Sequence, residues 1–240
     1  MAFRDKLALF ALAWVLLPGS PAWGGVYAQG ARSWQNVEML AEASAADMDL
    51  FMRAMNVSLG VECEHCHESG DNWHLEGREA KETARSMMRM LAGLSRSGFE
   101  ALELPTCWTC HRGAISPPDG PDPVAVQAVV RPASAFSTSR EPSGTVYENV
   151  RVLGDLPAAD LADVMTASSA SLGVDCAYCH VADNWSSDEK VTKLLARRMH
   201  EIQSAVNEEF FTTGPDVSCW TCHRGQRVPE INLPDALMPR

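Results

Sequence analysis

The sequence predicts a mainly α-helical chain with extensive coil, built as two duplicated units joined by a Pro-rich linker. Three observations predict it. Four cysteine motifs punctuate the chain, an internal repeat pairs them two and two, and helix start and stop signals bracket two segments per half. No alternating strand pattern appears.

The motifs carry the chemistry. All eight cysteines fall in four copies of Cys-x-x-Cys-His: Cys63, Cys66 and His67; Cys107, Cys110 and His111; Cys176, Cys179 and His180; Cys219, Cys222 and His223. This spacing is the attachment signature of c-type haem. Two thiols add across the vinyl groups of one porphyrin, and the adjacent histidine binds the iron as proximal ligand. Zinc also uses Cys-x-x-Cys pairs, and exported chains form disulfides. Neither explains a histidine after the second cysteine four times in four. The predicted cofactors are four c-type haems. The predicted architecture is a multihaem cytochrome c, two dihaem units packed around covalent porphyrins.

From the N-terminus, residues 1–28 read as a secretory signal peptide. Arg4 and Lys6 form a basic start, Leu7 to Leu17 an apolar run ended by Pro18, and Val26-Tyr27-Ala28 a small-residue cleavage site. Ala22 is a second candidate cut. The apolar run is short of the roughly 20 residues that span a bilayer. The expected location is the periplasm, with peripheral contact to the inner membrane. No cysteine precedes Cys63, so an N-terminal lipid on cysteine is not expected.

Removing Arg4, Lys6 and Asp5 with the signal takes the net charge from −11 to −12. An acidic surface argues against nucleic acid and anionic lipid. It favours a small basic electron carrier as partner.

The first unit covers 29–114, the linker 115–144 and the second unit 145–240. Gln35-Asn36-Val37 returns as Glu148-Asn149-Val150, and the six residues Ser58 to Cys63 return as Ser171 to Cys176, both 113 positions on. Asp71-Asn72-Trp73 returns as Asp183-Asn184-Trp185, and the seven residues Cys107 to Gly113 as Cys219 to Gly225, both 112 on. The linker is rich in Pro, Ser, Ala and Asp and reads as a surface segment.

Helices fill each unit. Ser44 with Asp47 starts the first, and Pro157 with Asp160 starts its counterpart. They run to Leu59 and Leu172, where Gly60 and Gly173 stop them. A second helix per half spans about Arg78 to Ser97 and about Asp188 to Glu209.

A closed haem iron needs a sixth ligand. Only His65, His74 and His200 lie outside the motif histidine positions, too few for bis-histidine haems. Methionine is the alternative, a soft ligand that raises the potential. The repeat chooses among eleven methionines: only Met52 with Met165, and Met87 with Met199, match across the halves. His200 and His74 are rivals. His200 projects about 100° around the helix from Met199, and Ser186 stands at the repeat position of His74. Trp108 and Trp220 are expected to pack against porphyrin or core. Arg112 and Arg224 suit propionates bidentately. Arg85 and Arg197 are weaker candidates for that role, with a solvated helix face as the other reading.

Motif order and repeat together resemble the tetrahaem cytochrome c subunit of bacterial photosynthetic reaction centres and its non-photosynthetic relatives. The resemblance covers Trp34 to Arg227. It implies that Met52, Met87, Met165 and Met199 are axial ligands, and that electrons pass from soluble carriers to a photo-oxidised special pair. Two departures stand out. Well-known members use a first-half histidine for one haem, whereas Met88 to Thr106 contains none. Many carry the N-terminal lipidated cysteine lacking here, and the chain is short for the photosynthetic subunits.

The expected activity is electron transfer without bond-making chemistry or a small-molecule substrate. The partners are redox proteins: a membrane-bound reaction centre and a soluble basic carrier. A periplasmic shuttle for another respiratory membrane complex is the competing role. A multihaem reductase is a third, disfavoured because four matched methionines leave no open iron.

Overall fold

The computed structural model describes residues 34–96, 104–131, 136–212 and 216–237; the predicted signal segment lies outside them. Gln35–Arg240 form one compact unit. The helices are α1 (Ala45–Leu59), α2 (Glu79–Arg96), α3 (Cys107–His111), α4 (Pro123–Gln127), α5 (Ser143–Val146), α6 (Leu161–Leu172), α7 (Val191–Phe210) and α8 (Cys219–His223). Single 3₁₀ turns sit at Cys63–His65 and Cys176–Tyr178. Among the described residues there are only isolated bridges, Pro142 with Pro157 and Val181 with Asn184, and no strand. No described helix is long and apolar enough to cross a membrane.

The order α1, 3₁₀ turn, α2, α3 is repeated as α6, 3₁₀ turn, α7, α8. Local chemistry explains the ends. Ser44 accepts the Asp47 N–H at 3.2 Å, and Asp47 lies where the helix dipole favours negative charge. The 3₁₀ turn Ala158–Asp160 leads into α6 as the proline signal implies. Both first helices end on a left-handed glycine, Gly60 at φ 66° and Gly173 at φ 63°.

Those glycines also set the packing. A Cβ on Gly60 would lie 2.2 Å from the Gly113 carbonyl oxygen, and one on Gly173 equally close to that of Gly225. The Gly113 N–H donates to the Ser58 carbonyl at 2.8 Å and the Gly225 N–H to that of Ser171 at 2.7 Å. In each half, backbone therefore meets backbone where the first long helix touches the second motif. α1 packs on α3 and α6 on α8.

Among the described residues, two helix pairs and further side-chain contacts relate the halves. α3 packs on α8, and α2 on α7. The predicted linker, 115–144, carries α4, whose N-terminus is capped by Asp122 and which packs on α6. Buried apolar side chains include Met48, Met55, Met90, Trp108 and Val206, while Trp73, Leu194 and Leu195 stand exposed.

Candidate functional site

Each motif is a tight turn that gathers its own donors. In the first motif of each half the histidine N–H donates to the first cysteine's carbonyl: His67 to Cys63 at 3.0 Å and His180 to Cys176 at 2.9 Å. In the second motifs one helical turn puts the two cysteines on one face. A capping box starts each of those turns, Thr106 with Thr109 and Ser218 with Thr221. All eight cysteines and all four motif histidines are half-buried.

The histidines share one arrangement. His67 Nδ1 lies 3.0 Å from the Trp73 carbonyl oxygen, His180 Nδ1 3.1 Å from that of Trp185, His111 Nδ1 2.9 Å from that of Ala114, and His223 Nδ1 2.9 Å from that of Gln226. A carbonyl only accepts, so Nδ1 carries the proton and Nε2 keeps its lone pair for a metal. Burial lowers the pKa of His180 and of His223, which keeps both imidazoles neutral as ligation requires.

Around the first motifs lies a duplicated clamp. The indoles of Trp73 and Trp185 stand against the His67 and His180 rings, centroids 5.3 and 5.4 Å apart. Asn36 donates to the His74 carbonyl at 2.6 Å and to Glu76; Asn149 donates to the Ser186 carbonyl at 2.6 Å and to Asp188 at 2.8 Å. Arg85 reaches the Asn36 carbonyl at 3.0 Å and Glu76 at 2.7 Å. Arg197 reaches the Asn149 carbonyl and Asp188, both at 2.8 Å. Arg85 and Arg197 therefore do not form the solvated helix face that was one of their two expected roles. The carboxylates of Glu76 and Asp188 hold them, and Arg85 is buried.

Arg197 first, then Asn149, hold Asp188 far below the usual carboxylate range. Folded Asp188 binds a proton more weakly than the unfolded chain does. Its contribution is therefore complete above the unfolded value, about 3.9, and drains away as pH falls toward the folded one. Asp188→Asn is expected to flatten the acid limb of Tm against pH below about pH 4, which thermal unfolding across that range checks.

The second motifs meet across the α3/α8 contact. Cys110 and Cys222 sulfurs are 3.1 Å apart. Arg112 donates to the Cys222 carbonyl at 3.0 Å, and Arg224 donates in return to the Cys110 carbonyl. Both arginines cap their turns in the left-handed region, φ 46° and 47°, a conformation costly for a side chain with Cβ. Their cross-half hydrogen bonds help hold that strain. Arg112 Nε, Arg224 Nε and Trp108 Nε1 are buried with no acceptor among the described residues.

The expected methionines occupy equivalent places: Met52 on α1, Met87 on α2, Met165 on α6 and Met199 on α7. All four are half-buried, as is the unmatched Met88, whereas Met48, Met55 and Met90 are buried. His200 on α7 and His74 are also half-buried.

The residues fit c-type haem. Four motif imidazoles place Nδ1 on a carbonyl, which leaves Nε2 as the metal-binding nitrogen, and each lies beside two half-buried thiols. The buried donors without acceptors cluster at the second motifs, where a carboxylate-bearing ligand would satisfy them. Burial raises the pKa of the Cys66, Cys107, Cys179 and Cys219 thiols, while the contact with Cys110 lowers that of Cys222. Among the described residues no three His, Cys, Asp or Glu side chains converge as a metal cage.

Sequence reading did not single out Lys81 and Lys193, or the Trp73 and Trp185 carbonyls. The signal was present, because both lysines match at the offset of 112 that relates the Asp-Asn-Trp segments.

A family model described as "Photosynthetic reaction centre cytochrome C subunit" matches residues 20–120 and 122–234. The chain is 40% identical to the photosynthetic reaction center cytochrome c subunit of Thermochromatium tepidum over 142 residues, 58% of this chain and 33% of that protein. It is 33% identical to the subunit of that name from Roseobacter denitrificans over 119 residues, 45% of this chain and 32% of that one. It is 40% identical to cytochrome c-554 of Chloroflexus aurantiacus over 81 residues, 31% of this chain and 20% of that one. The chain spans about a third of the length of the reaction-centre subunits it matches.

Proposed function

Because this chain belongs to the photosynthetic reaction centre cytochrome c subunit family, we propose that it is an exported four-haem electron donor to a membrane-bound reaction centre. The observation that carries the reading is the shared arrangement of the motif histidines. All four place Nδ1 against a backbone carbonyl, which leaves Nε2 as the ring nitrogen with a lone pair for metal.

Haem iron supplies reversible one-electron chemistry when bound. The chain's own residues do the rest. In this reading Cys63 with Cys66, Cys107 with Cys110, Cys176 with Cys179 and Cys219 with Cys222 anchor the four porphyrins. His67, His111, His180 and His223 would bind the irons, and Met52, Met87, Met165 and Met199 would supply the second protein ligand to each. The Cys110 and Cys222 contact brings the second motifs of the two units together, which suits passage of an electron from one unit to the other. The acidic surface suits a basic soluble carrier that delivers electrons.

Light decides the partner. Flash excitation of membranes containing reaction centres, with the purified holoprotein added, is expected to oxidise its haems within the decay of the photo-oxidised pair. No light-driven haem oxidation, with a respiratory membrane complex reducing or oxidising the haems instead, favours the shuttle reading. Carbon monoxide binding to the reduced native protein favours the reductase.

A further inference from the structure

Lys81 and Lys193 are buried cations, each 8% exposed, and such lysines are rare without partners. Each occupies the same place in its half and bonds to backbone. Lys81 Nζ donates to the carbonyls of Trp73 at 3.1 Å and Leu75 at 2.9 Å. Lys193 Nζ donates to those of Trp185 and Ser187, both at 2.9 Å. The Trp73 and Trp185 oxygens are the ones that accept Nδ1–H from His67 and His180. A buried ammonium and a motif imidazole thus share one acceptor, in both halves. The second motifs differ. The Ala114 and Gln226 carbonyls accept from His111 and His223, and among the described residues no lysine or arginine side chain bonds to either.

We propose that Lys81 and Lys193 are positioning residues that raise the reduction potential at the first and third motifs, through the carbonyl that orients each proximal histidine. The inference rests on the haem reading above. Two donors on one oxygen weaken each other's hydrogen bond, so the imidazole keeps a firmer hold on its Nδ1 proton. It is then a less anionic ligand and supports the ferric state less well. The ammonium itself stands one oxygen away from the ring, where low polarity strengthens its field. A nearby positive charge disfavours the more positive ferric site. Both effects raise the potential. Asp188 lies 3.4 Å from Lys193 but is matched by Arg197 at 2.8 Å, so the lysine charge is not cancelled.

The test uses the holoprotein and four variants, Lys193→Met, Lys193→Arg, Lys81→Met and Lys81→Arg. A spectroelectrochemical titration resolves four one-electron components. Each methionine variant is expected to move one component, a different one in each, by about tenfold toward the oxidised form, about 59 mV for one electron. Each arginine variant, which keeps the charge, is expected to recover most of that shift. Four unmoved components, or equal shifts for the methionine and arginine variants, overturn the proposal in favour of a purely structural clamp. If one methionine variant does not fold, its counterpart in the other half decides the question alone. The denatured mass of the parent protein separates this from the haem reading. Fewer than four covalent haems sinks that reading, whereas four haems with unmoved potentials sink only the lysines.

Discussion

Met165→Ala is expected to lower the potential of one haem and to open its iron to carbon monoxide. Met165 and Met52 are the one matched methionine pair on the first long helices of the two halves. The structure places Met165 half-buried on α6, whereas Met48, Met55 and Met90 are buried. A thioether favours ferrous iron and raises the potential. Its loss is expected to cost on the order of 0.1–0.2 V, within the roughly 0.8 V that axial ligands command. The effect should be confined to the haem anchored by Cys176 and Cys179. A reduced-minus-oxidised titration and a carbon monoxide difference spectrum read it. An unchanged potential with no carbon monoxide band means that Met165 is a packing residue, and the choice made by the repeat is then wrong for its partner Met52 as well.

Gly173→Ala is expected to cost on the order of 3 kcal/mol of holoprotein stability, from two causes that act together. The residue sits at φ 63°, where a Cβ is strained. That Cβ would also lie 2.2 Å from the Gly225 carbonyl oxygen, a backbone atom that cannot swing aside. Gly225→Ala is the control. It is strained at φ 82°, yet its Cβ meets only the Trp220 ring at 3.8 Å, so about 1–2 kcal/mol is expected from the conformation alone. Denaturant unfolding of both variants separates the causes. Equal losses mean that the close approach of the two glycines adds nothing to the strain.

Much of the site was legible because its signals are local. The Cys-x-x-Cys-His spacing is a covalent constraint, readable without any fold. Ser44, Gly60 and Gly173 act on neighbours within a few positions, so the ends of α1 and α6 came out as the sequence implies. The second long helices, α2 and α7, begin and end within a few residues of the expected positions for the same reason. The arginines were less legible. Arg112 and Arg224 were expected to meet propionates; their guanidinium groups also reach the partner half's Cys222 and Cys110 carbonyls, a contact the spacing does not reveal. Arg85 and Arg197 have the composition of a helix face, yet they close the clamp around Glu76 and Asp188. Which carboxylate an arginine finds depends on where a distant loop lies, and the spacing along the chain does not say.

The sequence by itself determined the cofactor class, the repeat and the helices, and it singled out four methionines for test. Each follows from spacing, from short-range capping or from comparison of the chain with itself. Only the tertiary structure decided what surrounds each motif histidine. It put a backbone carbonyl on every Nδ1, a buried lysine on two of those carbonyls, and glycine against glycine where each first helix meets a second motif. The physical reason is that these contacts are made by main-chain atoms. A carbonyl is the same chemical group at every residue, so nothing in the side-chain sequence marks which one will turn toward an imidazole. The fold alone chooses it.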